Sequence, residues 1–326
     1  MLGTHQPLDE PAASLAGPGL AAAARRAFLA TRPAFFVASV MPVLVGTVWA
    51  DLVMHRFDGL LLSLALGATA LAHAATNIYN DVSDDLIGAD AGNVDRMYPF
   101  TGGSRFIQSG LLSRGDMMRL ALGLTAAALA LGLWLALLRG PGVVLFGIAG
   151  VLIGLLYSLP GVQLSARGIG ELAVAVGLGA LPLLGAVWLQ SCPVGVGAIL
   201  ISIPVSAWVA AILMINEVPD IAADRRAGKR TLAVRWGADG ARRVYAGLTM
   251  IALSGSLAAV VRHALPAWYA LAAVAVALVG LFAARGVTGE RGGRSALRRS
   301  IKLTLAIHAL GCLSLIVAIA SVAAAR

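Results

Sequence analysis

The chain has 326 residues, of which 59% are hydrophobic and only 13% are charged, and its mean hydropathy is +0.85. Soluble domains carry about 25% charged residues, so this composition excludes an ordinary soluble domain and indicates an integral membrane protein. The net charge of +9 does not indicate a nucleic-acid partner, because the basic residues lie between apolar segments, where membrane orientation and anion binding account for them.

The N-terminal segment, residues 1–18, is polar and rich in Pro and Gly. A secretory signal would place positive charge first and an apolar run directly after it, so we predict a disordered cytoplasmic tail instead. Residues 20–30 predict a short interfacial helix, which Arg32-Pro33 ends. Residues 19–326 are predicted to form a single all-α transmembrane domain.

Nine apolar segments approach the roughly 20 residues that a helix needs to cross a bilayer. They cover about 34–54, 60–80, 117–138, 142–160, 169–190, 195–216, 243–261, 266–285 and 301–323. We therefore predict nine transmembrane helices. Long loops, 81–116 and 217–242, follow the second and sixth of them, so the two halves resemble each other in a way that is consistent with an old duplication.

Positive charge is distributed unequally between the two sides of this arrangement. With nine spans, 21 of the 25 Lys and Arg residues fall on one side. The positive-inside rule places that side in the cytoplasm, with the N-terminus and both long loops, and the C-terminus on the opposite face. We expect a multi-pass protein of the cell inner (plasma) membrane.

The pattern N-x3-D-x3-D occurs twice, each time where an apolar segment ends. Its residues are Asn77, Asp81 and Asp85 in the first copy and Asn216, Asp220 and Asp224 in the second. Residues four apart share a helix face, so each copy directs an amide and two carboxylates the same way. Such a face repels itself unless it binds a cation, and Mg²⁺ takes one or two carboxylates plus substrate phosphates. The alternative is a pair of solvated acidic loops.

Each acidic motif is followed by a segment suited to anion binding. After the first comes Thr101-Gly102-Gly103-Ser104-Arg105, where the glycine pair lets backbone approach a ligand and the arginine can bind phosphate oxygens. After the second come the bases Arg225, Arg226, Lys229 and Arg230. Carboxylates that hold a cation, beside bases that hold its anionic ligand, are the parts needed to bind magnesium diphosphate.

One histidine precedes the first motif at membrane depth. His73 lies one turn before Asn77, and polar residues at this depth usually face a cavity or a partner. A lone histidine in this setting is more typical of a packed or hydrogen-bonded residue than of a ligand.

At these positions the chain resembles the UbiA superfamily of intramembrane aromatic prenyltransferases. The resemblance covers nearly the whole chain and rests on Asn80-Asp81-x2-Asp84, on the second acidic motif, and on Gly228-Lys229-Arg230-Thr231-Leu232. Within the superfamily the chain is most similar to the 1,4-dihydroxy-2-naphthoate prenyltransferases of menaquinone synthesis. The features in common are the extension of the first motif to Asp90, the Gly102-Gly103 loop and the segment from Tyr157 to Glu171.

The resemblance implies a nine-helix bundle around a central cavity, capped by the two long loops. It implies Mg²⁺-dependent transfer of a polyprenyl group from polyprenyl diphosphate to an aromatic acceptor, with the prenyl tail leaving into membrane lipid. 1,4-Dihydroxy-2-naphthoate is the first acceptor expected. Gly161 and Gln163 depart from the subfamily pattern, so 4-hydroxybenzoate, haem and a chlorophyllide stay open.

Site residues follow from the motifs and the resemblance together. The expected catalytic residues are Asp81, Asp84, Asp220 and Asp224, which with Asp85 are also the candidate metal ligands. The candidate substrate-binding residues are Asn77, Asn80, Arg96, Arg105, Tyr157, Arg167, Asn216, Lys229 and Arg230. Tyr79, Tyr157 and Trp208 are candidates to shelter an allylic cation, and Arg167 and Glu171 are candidates to select the acceptor.

A divalent-cation or proton-coupled transporter is the alternative from another class, since acids at membrane depth also mark ion paths. A transporter would place its acids near the bilayer midplane. Most of the acids here lie at the ends of apolar segments, beside bases, which favours the enzyme.

The charge asymmetry predicts opposite locations for two reporter fusions. A reporter inserted after Gly240 should be cytoplasmic, and one fused after Arg326 should lie outside the cytoplasm, because an odd number of spans separates them. Protease protection or a periplasm-dependent phosphatase measures this. Finding both reporters on one side would make the number of crossings wrong by an odd number.

Overall fold

The computed structural model describes Leu15, residues 17–288 and residues 293–324. The predicted tail, residues 1–18, and Arg326 therefore lie outside the described residues, apart from 15, 17 and 18. The described secondary structure is helical. The helices are α1 (Leu20–Ala30), α2 (Val37–Met54), α3 (Gly59–Leu86), α4 (Arg114–Arg139), α5 (Gly142–Ser158), α6 (Gly170–Leu189), α7 (Val196–Asn216), α8 (Ile221–Arg226), α9 (Leu232–Val261), α10 (Tyr269–Ala284) and α11 (Arg294–Ala324).

Seven of these helices are long and apolar enough to cross a bilayer, within the described part of the chain. They are α2 (with the preceding turn from Pro33), α3, α4, α6, α7, α9 and α11. The other two predicted segments form α5 and α10, of 17 and 16 residues. At 1.5 Å per residue these span roughly 24–26 Å, short of the roughly 30 Å hydrocarbon core. The count of nine crossings stays a prediction.

Polar caps determine where the helices that frame the long loops begin. Asp58 Oδ1 accepts the backbone N–H groups of Leu60 and Leu61 at 3.0 and 3.1 Å, which starts α3. Ser113 and Asp116 form a reciprocal capping box at the start of α4. Thr231 caps α9 through the N–H of Val234. Such caps satisfy backbone donors that have no partner inside the helix, so both long loops end at defined points.

The two acidic motifs differ in backbone structure. The first lies entirely within α3, which continues to Leu86. The second does not lie on one helix, contrary to the expectation from its spacing: α7 ends at Asn216, a turn containing Pro219 follows, and α8 begins after Asp220. Proline has no N–H and disfavours a helical residue before it, so the chain turns between the amide and the carboxylates.

Small residues allow the helices to approach one another closely. A Cβ added at Gly46 of α2 would lie 2.2 Å from the carbonyl oxygen of Leu183 in α6, and one added at Gly179 of α6 would lie 2.7 Å from Ser206 in α7. Such contacts are typical of membrane bundles, where packing replaces the hydrophobic driving force. In the apolar stretch of α7 72% of residues are buried, against 11% in α4, so α7 is the central helix and α4 a peripheral one.

The contact at Gly46 predicts a difference between two glycine substitutions. Gly46→Ala should lower the free energy of unfolding by about 1–3 kcal/mol, the usual cost of overpacking a core, because the new methyl group meets backbone that cannot rotate away. Gly123→Ala on α4 is the matched control, since its added Cβ meets nothing within 4 Å. Thermal unfolding in detergent measures both. Equal stability of the two variants would contradict close packing of α2 on α6.

Candidate functional site

A cavity of about 680 Å³ lies among α3, α4, α5, α6 and α7. Its larger part is apolar and lined by small and aliphatic side chains. They include Ala65, Ala68 and Ala72 of α3, Leu129 and Leu133 of α4, and Gly147, Gly150 and Gly154 of α5. The polar part lies where α3 and α7 end and their long loops begin. The cavity therefore suits a ligand with a charged head and an apolar body.

Carboxylates from both acidic motifs meet at the polar end. Asp84 and Asp90, from α3 and its following loop, line the cavity together with Asp220 and Asp224. Asp81 lies directly behind Gly103: a Cβ at this glycine would be 3.1 Å from Asp81 Oδ1 and 2.5 Å from Asp90 Oδ2. The expectation that the two motifs face one site therefore agrees with the geometry.

One ammonium group lies between the two motifs. Lys229 Nζ is 2.6 Å from Asp84 Oδ1 and 3.3 Å from Asp224 Oδ1. The residue is placed by the end of α8, where Gly228 has φ +80° and the N–H of Lys229 donates to the carbonyl of Asp224 at 2.9 Å, a glycine-dependent helix ending. Burial alone would lower the pKa of Lys229, but Asp84 and Asp224 outweigh it and raise that pKa, so the side chain remains charged.

The glycine pair aligns the carboxylates of both motifs. Gly102 and Gly103 have φ of +72° and +68°, a region that favours glycine. The N–H of Gly102 donates to Asp220 Oδ2 at 3.2 Å, and the N–H of Ser104 donates to Asp81 Oδ2 at 2.8 Å. Asn93 Nδ2 donates to Asp220 Oδ1 at 2.6 Å. The loop that sequence analysis assigned to phosphate thus contacts both acidic motifs directly.

Burial and crowding disfavour the charged form of these carboxyls. The pKa of Asp224 is raised to about 7, chiefly by burial; the charge of Lys229 opposes this rise, and those of Asp220 and Asp84 contribute to it. Burial also raises the pKa of Asp220. It raises that of Asp90 well above the usual range, with Asp84 and Asp81 adding to the effect. Full ionisation of the cluster would need more positive charge than Lys229 alone supplies.

The donor set fits a hard divalent cation. Asp81 Oδ1 is buried without a hydrogen-bond partner among the described residues, and Arg32 Nη1 lies 3.9 Å from it. No three His, Cys, Asp or Glu side chains in the described ranges form a ready-made metal-binding group. Mg²⁺ seldom needs one, because it keeps waters and takes phosphate oxygens beside one or two carboxylates. The residues therefore fit a cation that binds together with a phosphate ligand.

Asp85 does not lie with the other candidate metal ligands. Its Oδ1 accepts from Gln108 Nε2 at 3.0 Å and its Oδ2 accepts from Arg114 Nε at 2.8 Å. At 100° per residue, Asp84 is rotated only about 20° from Asn77 around α3, whereas Asp85 is rotated about 80°. The spacing of seven residues, rather than eight, keeps a carboxylate on the cavity face.

The predicted substrate-binding residues divide into two groups. Asn77, Asn80, Tyr157, Asn216 and Lys229 line the cavity. The four arginines Arg96, Arg105, Arg167 and Arg230 are not among its lining residues. Arg105 donates to the backbone oxygen of Asp90, and Arg167 to that of Gly161. The guanidinium of Arg96 lies 5.8 Å from the ring centroid of Tyr98, and Arg230 is exposed.

The aromatic and acceptor candidates divide in the same way. Tyr79 and Tyr157 line the cavity, but Trp208 packs against Gly311 of α11. Glu171 is buried outside the lining, beside Glu217, which does line it. Burial, followed by the charge of Glu171, raises the pKa of Glu217 well above its usual range.

Several residues at the polar end have no role that the sequence alone predicted. They are Arg32, Asp90, Asn93 and Glu217. Asp90 and Asn93 lie in a loop without helical periodicity, so the direction of their side chains is not readable from spacing. Arg32 has φ +56°, and this turn brings its guanidinium within 3.0 Å of the carbonyl oxygen of Phe100. The one signal in the sequence for Arg32 was its positive charge at the break before the first apolar segment.

Comparison with known proteins is consistent with this geometry. The sequence profile of the UbiA prenyltransferase family matches residues 39–307. The 1,4-dihydroxy-2-naphthoate octaprenyltransferase of Mycobacterium tuberculosis is 34% identical over 81% of this chain and 86% of its own. The enzyme of the same name from Bacillus subtilis is 29% identical over 73% of this chain and 74% of its own.

Among solved structures, the fold is similar to a UbiA homologue from Archaeoglobus fulgidus bound to GPP and Mg²⁺. The TM-score is 0.64 over 88% of this chain and 97% of the homologue, at 15% identity. At this identity the likeness concerns the fold alone.

The position of Lys229 predicts a large effect on stability. Lys229→Met would leave Asp84 and Asp224 buried without their counter-charge, and breaking a buried pair in this way costs about 3 kcal/mol or more. Arg230→Met is the matched control, because the neighbouring side chain is exposed. Denaturant or thermal unfolding in detergent compares them. A Lys229→Met variant as stable as Arg230→Met would contradict the buried ion pair.

Proposed function

Because the chain belongs to the UbiA prenyltransferase family, we propose that it transfers a polyprenyl group from polyprenyl diphosphate to 1,4-dihydroxy-2-naphthoate. The observation that carries this proposal is the cavity itself, which joins an apolar chamber to a polar end built from two acidic motifs and Lys229. The naphthoate is supported by two relatives of that name. 4-Hydroxybenzoate is the alternative acceptor. The chain is a transferase by its family, so the alternative of a transporter is rejected.

We assign the polar end to the diphosphate and its cation. Asp81, Asp84 and Asp90 on one side, and Asp220 and Asp224 on the other, would hold Mg²⁺. When bound, the ion supplies positive charge that stabilises diphosphate as a leaving group. The A. fulgidus homologue was solved with GPP and Mg²⁺, which supports this assignment. Asp85 is left out of it, because Gln108 and Arg114 occupy its oxygens.

The remaining residues of the cavity contact the diphosphate and the prenyl group. Lys229, already held between two carboxylates, lies where phosphate oxygens would add a third anionic contact. Tyr79 and Tyr157 line the cavity, where the face of an aromatic ring would stabilise an allylic cation. The apolar walls exclude water, so the cation reacts with the bound acceptor rather than being hydrolysed.

The proposal includes a place in the cell. We retain nine crossings of the inner membrane, with the cap loops and the acidic cluster at the cytoplasmic face. The charge distribution supports this orientation. Both substrates would then enter from the side on which the cap lies, and the prenylated product would remain in lipid.

An acceptor panel tests the substrate assignment. Purified protein in lipid, supplied with Mg²⁺ and geranylgeranyl diphosphate, should prenylate 1,4-dihydroxy-2-naphthoate in preference to 4-hydroxybenzoate. Chromatography with mass detection identifies the product, including the loss of carbon dioxide expected when the naphthoate carboxyl carbon is the one attacked. Transfer to 4-hydroxybenzoate alone would reject the naphthoate, and transfer to neither would reject both of these acceptors.

Matched aspartate variants test the metal assignment. Asp81→Ala and Asp220→Ala should each lower kcat/KM by at least about a hundredfold, because a lost cation forfeits several kcal/mol of charge stabilisation. Asp85→Ala should stay within about threefold of wild type. EDTA should abolish turnover and Mg²⁺ restore it. A loss in Asp85→Ala equal to that in Asp81→Ala would show that the wrong carboxylate has been assigned.

A further inference from the structure

His73 has an unassigned position in the cavity. It lies on α3, is only 5% exposed, and lines the cavity. It precedes Asp81 by eight residues, which places it about 12 Å further along the helix axis from the acidic cluster. A diphosphate bound at the cluster would direct the reacting carbon of the prenyl group away from the carboxylates and toward this depth.

The hydrogen bonds around His73 are compatible with a tautomer that carries its proton on Nδ1. Ser39 Oγ is 3.2 Å from the carbonyl oxygen of Phe36 and 2.9 Å from His73 Nδ1. A carbonyl oxygen cannot donate, so the single hydroxyl hydrogen of Ser39 is the one available for that contact. When that hydrogen points to Phe36, Ser39 Oγ accepts from Nδ1–H of His73. In this tautomer Nε2 carries a lone pair, because a neutral imidazole has only one N–H.

Nε2 of His73 has no hydrogen-bond partner among the described residues. The described residues provide His73 with one hydrogen bond, from Nδ1, and one ring contact, with Phe36 at 5.7 Å between centroids. An imidazolium would need an acceptor for a second N–H, and the described part of the chain offers none there. Buried polar atoms usually find partners, so an unpaired acceptor on a cavity wall suits a ligand that donates a hydrogen bond.

We propose that His73 Nε2 accepts the hydroxyl proton of the aromatic acceptor during prenyl transfer. This inference rests on the proposed function. As the hydroxyl proton moves to Nε2, its oxygen electrons conjugate into the ring and the ring carbon forms a bond to the prenyl carbon, while the bond from that carbon to diphosphate breaks. The resulting ketone then loses a ring proton to the departing diphosphate or, from a carboxylated carbon, loses carbon dioxide, and His73 returns its proton to the oxygen.

Ser39 and Phe36 are positioning residues in this scheme. Ser39 selects the tautomer through Nδ1, and Phe36 packs against the imidazole. Both belong to the turn and first part of α2, whereas His73 belongs to α3. The packing of α2 against α3 therefore holds the imidazole at the cavity wall, and Ser39→Ala should weaken the effect of His73 without removing it.

Kinetics with matched variants test this role. Wild type must first prenylate the hydroxylated acceptor, and if it prenylates none, the proposed function and the role of His73 fall together. His73→Leu should then lower kcat by roughly a hundredfold or more, the usual contribution of a general base, with the KM for prenyl diphosphate unchanged. His73→Gln, which keeps an acceptor atom, should recover part of the loss. His308→Leu is the control, because this buried histidine contacts the carbonyl oxygen of Val37 in the same turn as Ser39 and is not among the lining residues of the cavity.

Acceptor analogues separate a chemical role from a structural one. The dihydroxy acceptor has two monomethyl ethers, and the one that lacks the hydroxyl deprotonated by His73 should react poorly in wild type. With that ether, His73→Leu should lower kcat by less than about threefold. Thermal unfolding in detergent checks that each variant is folded. A His73→Leu variant that is no slower than His308→Leu, or that loses the same factor with every acceptor, would overturn the role of His73 and leave the prenyltransferase assignment standing.

Discussion

The arrangement of the polar end depends on one buried ammonium group. Lys229 lies between Asp84, which comes from the first half of the chain, and Asp224, which comes from the second. Without it the two carboxylates would repel each other, and burial already disfavours the charged form of Asp224 by raising its pKa. The same ion pairs join the end of α3 to the turn after α8. One side chain therefore both balances the charge of the site and holds the two halves of the bundle together.

The loops that close the cavity are held by backbone contacts as well as by charge. N–H groups of the Gly102–Ser104 stretch bind carboxylates of both acidic motifs. Arg226 donates to the carbonyl of Gly92, and Arg294 donates to the carbonyls of Asp95 and Arg96. These contacts hold the first long loop against α8 and α11. A cap held in this way limits the entry of water, which the chemistry of an allylic cation requires.

Much of this could be predicted from the sequence, because helices in a membrane follow hydropathy and the acidic motifs lie at the ends of apolar segments. The features that could not be predicted are those that depend on the direction in which the backbone points each side chain. The turn at Pro219 separates the two parts of the second motif, and the choice between Asp84 and Asp85 follows from a rotation of 100° around α3. Lys229 and Arg230 are adjacent and equally basic, but the Gly228 turn directs only the lysine inward. Asp90 and Asn93 belong to a loop whose side-chain directions exist only in the folded cap.

The account depends most directly on both acidic motifs binding one cation–diphosphate group. A crystal structure of the protein with Mn²⁺ and a non-hydrolysable prenyl thiodiphosphate, with anomalous scattering to locate the metal, tests this. The account predicts Mn²⁺ in contact with carboxylates of both motifs, the thiodiphosphate beside Lys229, and the prenyl chain in the apolar chamber that α5 lines with glycine. Metal bound at one motif only, or at Asp85, with the diphosphate remote from Lys229, would contradict it.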